Sequence, residues 1–376
     1  SGGGAVRVSV LMTTYNGAPT IGESIASVLA QRFADFELVV VDDCSTDTTP
    51  ALLAAITDPR VRILRNPRNL GIVGARNVGF LACRGEYVAA LDHDDLAAPT
   101  RLAQQVALLD AEPSVVLAGT QVRELTPDGR IVHISYGSGN TPVVMRWQLH
   151  LRNPYSYSSM MFRAAAIRGL GAFMRETAVY SDDYDLYLRL ARVGEVALLP
   201  EVLCTYRNHQ SNTTHWVKPT MDANAAAILA AVYAPFLGAE AEDAAWLIVR
   251  HVTNGRAPPD GATLRRLGFY LHRLLEGFLE TYRPAPADEA RIREFTGQVW
   301  WHSVRAAMRR GRPWLVGEHV RARTLRAGFH ASLGDAAASF AIGLLRVPQG
   351  RTPTPPRCAP PAPGTPQAAP PPAPWQ

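Results

Sequence analysis

The sequence predicts an α/β fold. An open sheet flanked by helices is expected over residues 6–215, a helical region over 216–345 and a proline-rich disordered tail over 346–376, with a short disordered segment at 1–5. Three observations carry this division. Before residue 215, β-branched apolar runs alternate with helix-period segments, and each run ends in polar residues, as buried parallel strands do. After it, apolar residues recur at helical spacing, as in Leu264, Leu267, Leu271, Leu274, Leu275 and Phe278. The last segment holds 12 of the 29 prolines, which are incompatible with helix interiors and sheet ladders.

Taken in order, Val6–Met12 and Phe36–Val41 read as the first two strands. Between them Thr20 is placed to cap a helix with Glu23 three residues on, and Ile21, Ile25, Val28 and Leu29 form its apolar stripe. A helix over Thr48–Ile56 follows, then a third strand at Val61–Leu64, a helix at Gly74–Cys83 and a fourth strand at Glu86–Leu91. Thr100–Asp110 reads as a helix, Val115–Gly119 as a strand, and Thr126-Pro127-Asp128-Gly129 as a turn. Such alternation implies right-handed crossovers, with ligands bound beyond the carboxyl ends of the strands.

Composition excludes several chemistries. Of 38 cationic side chains only Lys218 is a lysine, so neither a phosphate-binding loop nor a protein-kinase strand lysine is present. A Schiff-base mechanism would rest on Lys218 alone, because guanidinium groups do not lose their proton. An arginine excess of this kind is no evidence for a nucleic-acid partner, and none is expected. Cys44, Cys83, Cys204 and Cys358 stand far apart and read as reduced thiols in a cytosolic protein. The longest apolar stretch, near Ala225–Ala239, contains Pro235 and falls short of the roughly 20 residues of a bilayer span. We therefore expect a soluble cytoplasmic protein. Residues 1–215 carry 19 cations and 21 carboxylates, whereas 216–376 carry 19 and 12. The basic helical part is expected to make peripheral contact with anionic lipid on the inner face of the cytoplasmic membrane.

Polar clusters sit where the strands end. The first strand runs into Thr13-Thr14-Tyr15, the second into Asp42-Asp43, and the fourth into Asp92-His93-Asp94-Asp95. Close carboxylates repel, and a divalent ion relieves that repulsion; hard oxygen ligands favour Mg²⁺ or Mn²⁺. Asp95 could instead cap a helix. Asp43 could accept a nucleobase N–H while Tyr15 stacks on the base, or Asp43 and Asp47 could cap the helix that follows. Arg76, near a helix start, suits a diphosphate. No Gly-x-Gly-x-x-Gly follows the first strand, which argues against a dinucleotide dehydrogenase.

These segments together resemble the family 2 glycosyltransferases of GT-A fold. The resemblance lies in Val8–Gly17, Phe36–Asp47, Asn69–Asn77 and Tyr87–Asp95, in Ser181-Asp182-Asp183-Tyr184 with its following helix, and in Tyr206-Arg207-Asn208-His209. It implies an open mixed, mostly parallel sheet and an inverting, non-processive enzyme. That enzyme would move a hexosyl or N-acetylhexosaminyl group from a nucleotide-sugar donor, with a UDP-sugar favoured, to a glycan or lipid-linked glycan acceptor. It assigns Thr13, Tyr15 and Asp43 to the nucleoside, Arg76 to the phosphates, and Asp92, Asp94 and His209 to the metal. Asp183 would be the general base, and Asp182, where the family more commonly has Glu, a substrate contact. Asp182 and Asp183 could also serve only as helix caps. The aromatic residues Tyr136, Trp147, Tyr155 and Tyr157 suit packing better than sugar binding. Two other readings of the same fold are a non-catalytic nucleotide-sugar-binding or scaffold protein and a sugar nucleotidyltransferase. On the transferase reading, the positive charge of the helical part acts outside the chemistry.

Overall fold

A computed structural model of the chain describes residues 6–134, 140–209, 217–326 and 332–346. The segments 1–5 and 347–376, and Tyr136, for which expectations were stated above, lie outside the described residues.

The first half follows the expected alternation: β1 (Val8–Thr14), α1 (Ile21–Leu29), β2 (Phe36–Asp42), α2 (Thr49–Ala54), β3 (Val61–Arg65), α3 (Gly71–Ala82) and β4 (Tyr87–Ala90). Its strands pair in parallel in the order β3-β2-β1-β4, with Val10 between Leu38 and Ala89. Side chains alternate between two cores as the two-residue period requires. Val8, Val10 and Met12 join Ile21, Ile25 and Leu102 on one face, while Leu11, Val39 and Val41 face α3 on the other.

The next elements are β5 (Leu96–Ala97), α4 (Arg101–Ala111), β6 (Val115–Leu125), β7 (Ile131–Ile134), α5 (Pro142–Leu149), β8 (Met161–Arg163), α6 (Ala164–Gly169), α7 (Asp182–Val193) and β9 (Glu195–Arg207). Strand β8 runs antiparallel between β4 and β6, β9 pairs with β6 in parallel, and β5 and β7 close the edges antiparallel. The sheet is therefore mixed. The hairpin between β6 and β7 turns at 126–129 as the sequence predicts, with Gly129 at φ +79°.

One local expectation is corrected. The Thr20 side chain makes no capping bond to α1, and Glu23 does not reach back to the helix start. Its Oε2 instead accepts from Arg207 Nη2 at 2.6 Å, a partner 184 residues away. Asp47, by contrast, holds the start of α2, accepting from Thr49 N at 2.9 Å.

The helical region consists of α8 (Lys218–Leu237), α9 (Ala241–Ile248), α10 (Gly261–Tyr282), α11 (Pro286–Arg309), α12 (Val316–Arg321), α13 (Arg323–Arg326) and α14 (Leu333–Leu345). Asp260 caps α10, accepting from Thr263 N at 2.7 Å. The stripe of α10 read from the sequence is buried. It packs in one continuous core with α5, α7 and α11, so the change near residue 216 is one of architecture and not of core. Buried Trp147 of α5 donates to Thr296 Oγ1 of α11 at 2.9 Å, and Tyr233 of α8 donates to the His150 carbonyl. Among the described residues one helical run, Lys218–Thr253, is long and apolar enough to cross a membrane by length and composition. It is broken at 238–240, where Gly238 takes φ +57°.

Candidate active site

Because β1, β2 and β4 are parallel neighbours, their carboxyl ends share one edge of the sheet, and α7 starts beside it. The residues singled out at those ends line one cleft of about 590 Å³: Thr13, Tyr15, Asp43, Arg76, Asp92, Asp94, Asp182 and Asp183. Backbone strain concentrates at its rim. Asn16, Cys44 and Tyr180 have φ of 53°, 66° and 65°, a region that costs a residue with a side chain energy and that clusters at functional sites. The floor is tightly packed as well. A Cβ on Gly17 would sit 2.3 Å from Thr14 Oγ1 and 2.5 Å from His93 Cδ2, so only glycine fits there.

Asp43 is buried and heavily used by its own loop. Its Oδ1 accepts from Asn66 Nδ2 at 2.7 Å and Leu70 N at 2.9 Å, and its Oδ2 accepts from Gly71 N at 2.9 Å. These bonds fix the turn into α3 and aim the carboxylate at the cleft.

Arg76, in the second turn of α3, occupies the centre of the site. Its Nη1 donates to Asp182 Oδ2 at 2.7 Å, its Nη2 to Asp92 Oδ1 at 3.1 Å, and its guanidinium stacks 3.6 Å from the centre of the Tyr157 ring. Burial works against its charge, yet the facing carboxylates hold its pKa well above the ordinary value. The residue expected at the phosphates therefore first joins the end of β4 to the start of α7. Its buried Nε has no acceptor among the described residues.

Asp92 is pushed up by burial against the pull of Arg76, with Asp94 adding repulsion. Its backbone N–H donates to Ser158 Oγ at 3.0 Å. Asp95 is fully buried and accepts from Arg207 N at 2.9 Å; burial and its two acidic neighbours raise its pKa well above the usual carboxylate range. It ties β9 to the Asp92–Asp95 turn instead of capping a helix. Asp94 Oδ2 lies 3.0 Å from His209 Nε2, so the residues just past β9 return to the strand-end carboxylates. No three His, Cys, Asp or Glu side chains among the described residues are grouped to cage a metal. The Asp94 carboxylate and the His209 imidazole are the pair that could hold an ion, with oxygens from a phosphorylated substrate and water completing it; a mixed oxygen and nitrogen pair suits Mn²⁺ better than Mg²⁺.

Asp183 stands in the first turn of α7, whose Leu186, Leu188 and Leu190 are buried behind it. Its Oδ2 accepts from Asn153 Nδ2 at 2.9 Å and its Oδ1 from Tyr184 N at 2.7 Å. Burial, then the neighbouring Asp182, push its pKa up to about 6, against the opposing pull of Arg76 and the two hydrogen bonds. A carboxylate poised near neutrality, facing a cleft, has the character of a general base.

Sequence reasoning missed several members of the site. Asn153 carries no motif, and its partner lies 30 residues on. The first turn of α8 also forms a cleft wall, through Val217, Lys218, Met221 and Asp222. It is held there because Ser181 Oγ donates to the Met221 carbonyl at 3.1 Å. Lys218 donates to Asp222 Oδ1 at 2.8 Å and to Asn254 Oδ1. The only lysine of the chain thus lines the cleft. Trp147 packs in the core as expected, and Tyr155 and Tyr157 are buried in the cleft wall.

Residues 9–171 match glycosyl transferase family 2. A succinoglycan biosynthesis protein, ExoO, of Rhizobium meliloti (strain 1021) is 49% identical over 115 residues, which are 31% of each chain. A putative glycosyltransferase, EpsE, of Bacillus subtilis (strain 168) is 32% identical over 197 residues, 50% of this chain and 68% of that one. The matched stretch thus spans about a third of the length of the first relative and about two thirds of the second. Among solved structures, S. aureus TarS 1–349 in complex with UDP-GlcNAc superposes with a TM-score of 0.50 at 16% identity, covering 89% of this chain and 90% of that one. This likeness places the sheet and its flanking helices in the GT-A fold.

Proposed function

The chain belongs to glycosyl transferase family 2, and from that premise we propose that it is an inverting, non-processive transferase acting in polysaccharide biosynthesis. A hexosyl or N-acetylhexosaminyl group passes from a nucleoside-diphosphate sugar to a hydroxyl of a glycan or lipid-linked glycan. The observation that carries the reading is the meeting, in one cleft, of Asp183 with Asp92 and Asp94, where Arg76 joins Asp92 to Asp182 beside it.

In this reading Asp183 removes the proton of the acceptor hydroxyl as its oxygen bonds to C1 of the sugar. The bond from C1 to the diphosphate oxygen breaks on the opposite face, and the electron pair leaves with the nucleoside diphosphate. Thr13, Tyr15 and Asp43 hold the nucleoside. Arg76 keeps Asp92 and Asp182 in place and presents its charge to the diphosphate, with Asp182 a neighbouring substrate contact. Mn²⁺ or Mg²⁺ bound by Asp94 and His209, with Asp92 beside them, would neutralise charge on the leaving diphosphate. A UDP-sugar is the favoured donor, in keeping with the UDP-GlcNAc bound to the S. aureus protein of the same fold. Lys218 and Asp222, on the α8 wall that Ser181 holds beside the start of α7, would meet the acceptor.

Product analysis after incubation with nucleotide sugars and Mn²⁺ tests this directly. Nucleoside diphosphate together with a glycosylated acceptor supports it. Pyrophosphate would indicate a nucleotidyltransferase, and binding without any product a scaffold. A thermal-shift screen finds the donor first, since a tight ligand raises apparent stability by mass action.

A further inference from the structure

Helix α14 packs against α11 in a reversed sense. Its inward positions are small: Ala336, Ser339 and Gly343. Arg305 Nε and Arg309 Nε donate to Ser339 Oγ at 3.3 and 3.1 Å, and a Cβ on Gly343 would sit 2.3 Å from the Met308 carbonyl oxygen. Three of its large apolar side chains are exposed, Leu344 and Leu345 to 53% and 87% and Phe340 to 40%. The same Gly343 lies against Pro313, whose neighbour Trp314 is 62% exposed, and α12 adds exposed Val320. An ordinary surface helix turns its large apolar residues inward. Exposed Trp, Phe and Leu side chains on two elements packed together mark an interaction surface.

Charge identifies the partner. Between residues 305 and 346 the chain carries eight arginines against Glu318 and Asp335. Arg310, Arg321, Arg323 and Arg346 are exposed around the apolar side chains. The segment that follows α14 brings Arg351 and Arg357 and no carboxylate side chain, and a second copy would bring the same arginines, so both have the wrong sign. An anionic lipid surface supplies both apolar depth and negative charge. Helix α14, at 13 residues, is about 20 Å long, too short to cross a hydrocarbon core of about 30 Å, and so would lie in the interface plane.

We propose that the face formed by Trp314, Val320, Phe340, Leu344 and Leu345, rimmed by arginines, docks the protein peripherally on an anionic membrane. This rests on the surface alone and not on the transferase reading, and it is measured without any sugar. The cleft would then work beside the bilayer, where a lipid-linked acceptor is found.

The full chain is sedimented with vesicles of phosphatidylglycerol and phosphatidylcholine, and with phosphatidylcholine alone. Binding at least tenfold stronger to the anionic vesicles, weakened by 0.5 M salt, is expected, because clustered cations add attraction per charge while salt screens it. The double change Leu344→Asp and Leu345→Asp, at exposed positions, should cut binding about tenfold or more with an unchanged melting curve. Arg310→Glu with Arg323→Glu should weaken only the anionic preference. Equal binding to both vesicle types, or no effect of the leucine changes, overturns the proposal. So does a wild-type dimer that the leucine changes dissociate, or binding that appears only after residues 347–376 are removed, since the face would then belong to a second copy or to the chain's own tail.

Discussion

Replacing Asn153 by alanine should move the acidic limb of the pH profile upward by about one unit. The Asn153 amide donates to Asp183 Oδ2 and stabilises the ionised form, which is the form that can take a proton. A hydrogen bond to a charged group contributes about 1.5 kcal/mol at the low end, and one pKa unit corresponds to about 1.4 kcal/mol. The apparent pKa would then rise from about 6 to roughly 7. The sign is unambiguous: activity is lost as pH falls through the folded-state pKa, so the variant loses it earlier. At pH 6 the ionised fraction would fall from about one half to roughly one tenth, a loss of about fivefold in kcat/KM. At pH 8 both proteins would be more than about nine-tenths ionised and nearly equal. The assay is release of nucleoside diphosphate at saturating metal between pH 5 and 9. A variant profile parallel to wild type, or a wild-type rate that does not fall below pH 6, would refute the role of Asp183.

Three other outcomes are expected. Asp94→Asn and His209→Ala should each raise the Mn²⁺ concentration needed for half-maximal activity about tenfold or more, read by metal titration; unchanged titration curves would place the metal elsewhere. Lys218→Ala should raise KM for the acceptor severalfold and leave donor KM unchanged, and the reverse pattern would put the α8 wall on the donor side. Trp147→Ala should cost about 3–5 kcal/mol in a single cooperative urea transition, because its indole ties α5 to α11; two separate transitions would mean that the helical region folds apart from the sheet.

What was legible in the sequence is what leaves a local trace. Val6–Met12 and Phe36–Val41 announce strands by composition, and their polar ends announce ligand-binding positions, because a parallel sheet gathers those ends on one edge. The apolar stripe of α10 is legible by its period. Long-range pairings leave no such trace. Glu23 looked like half of a capping box, but it is taken by Arg207 on β9. Arg76 reads as a phosphate ligand from its place near a helix start, and that folding also sets it between Asp92 and Asp182, 16 and 106 residues away, is not legible locally. Lys218 reaches the cleft because α8 docks on the loop before α7, and Asn153 because the segment after α5 meets the start of α7, tertiary contacts that no periodicity encodes.

The account stands most directly on the stereochemistry of transfer and its dependence on one carboxylate. Wild-type protein, given its donor and acceptor, should yield a glycoside whose anomeric configuration, read by NMR, is inverted relative to the donor. Asp183→Asn, which keeps the shape but cannot take a proton, should slow that transfer by about 10²–10⁴ while still binding donor in a thermal-shift assay. A retained configuration, or an Asp183→Asn protein as fast as wild type, would contradict it.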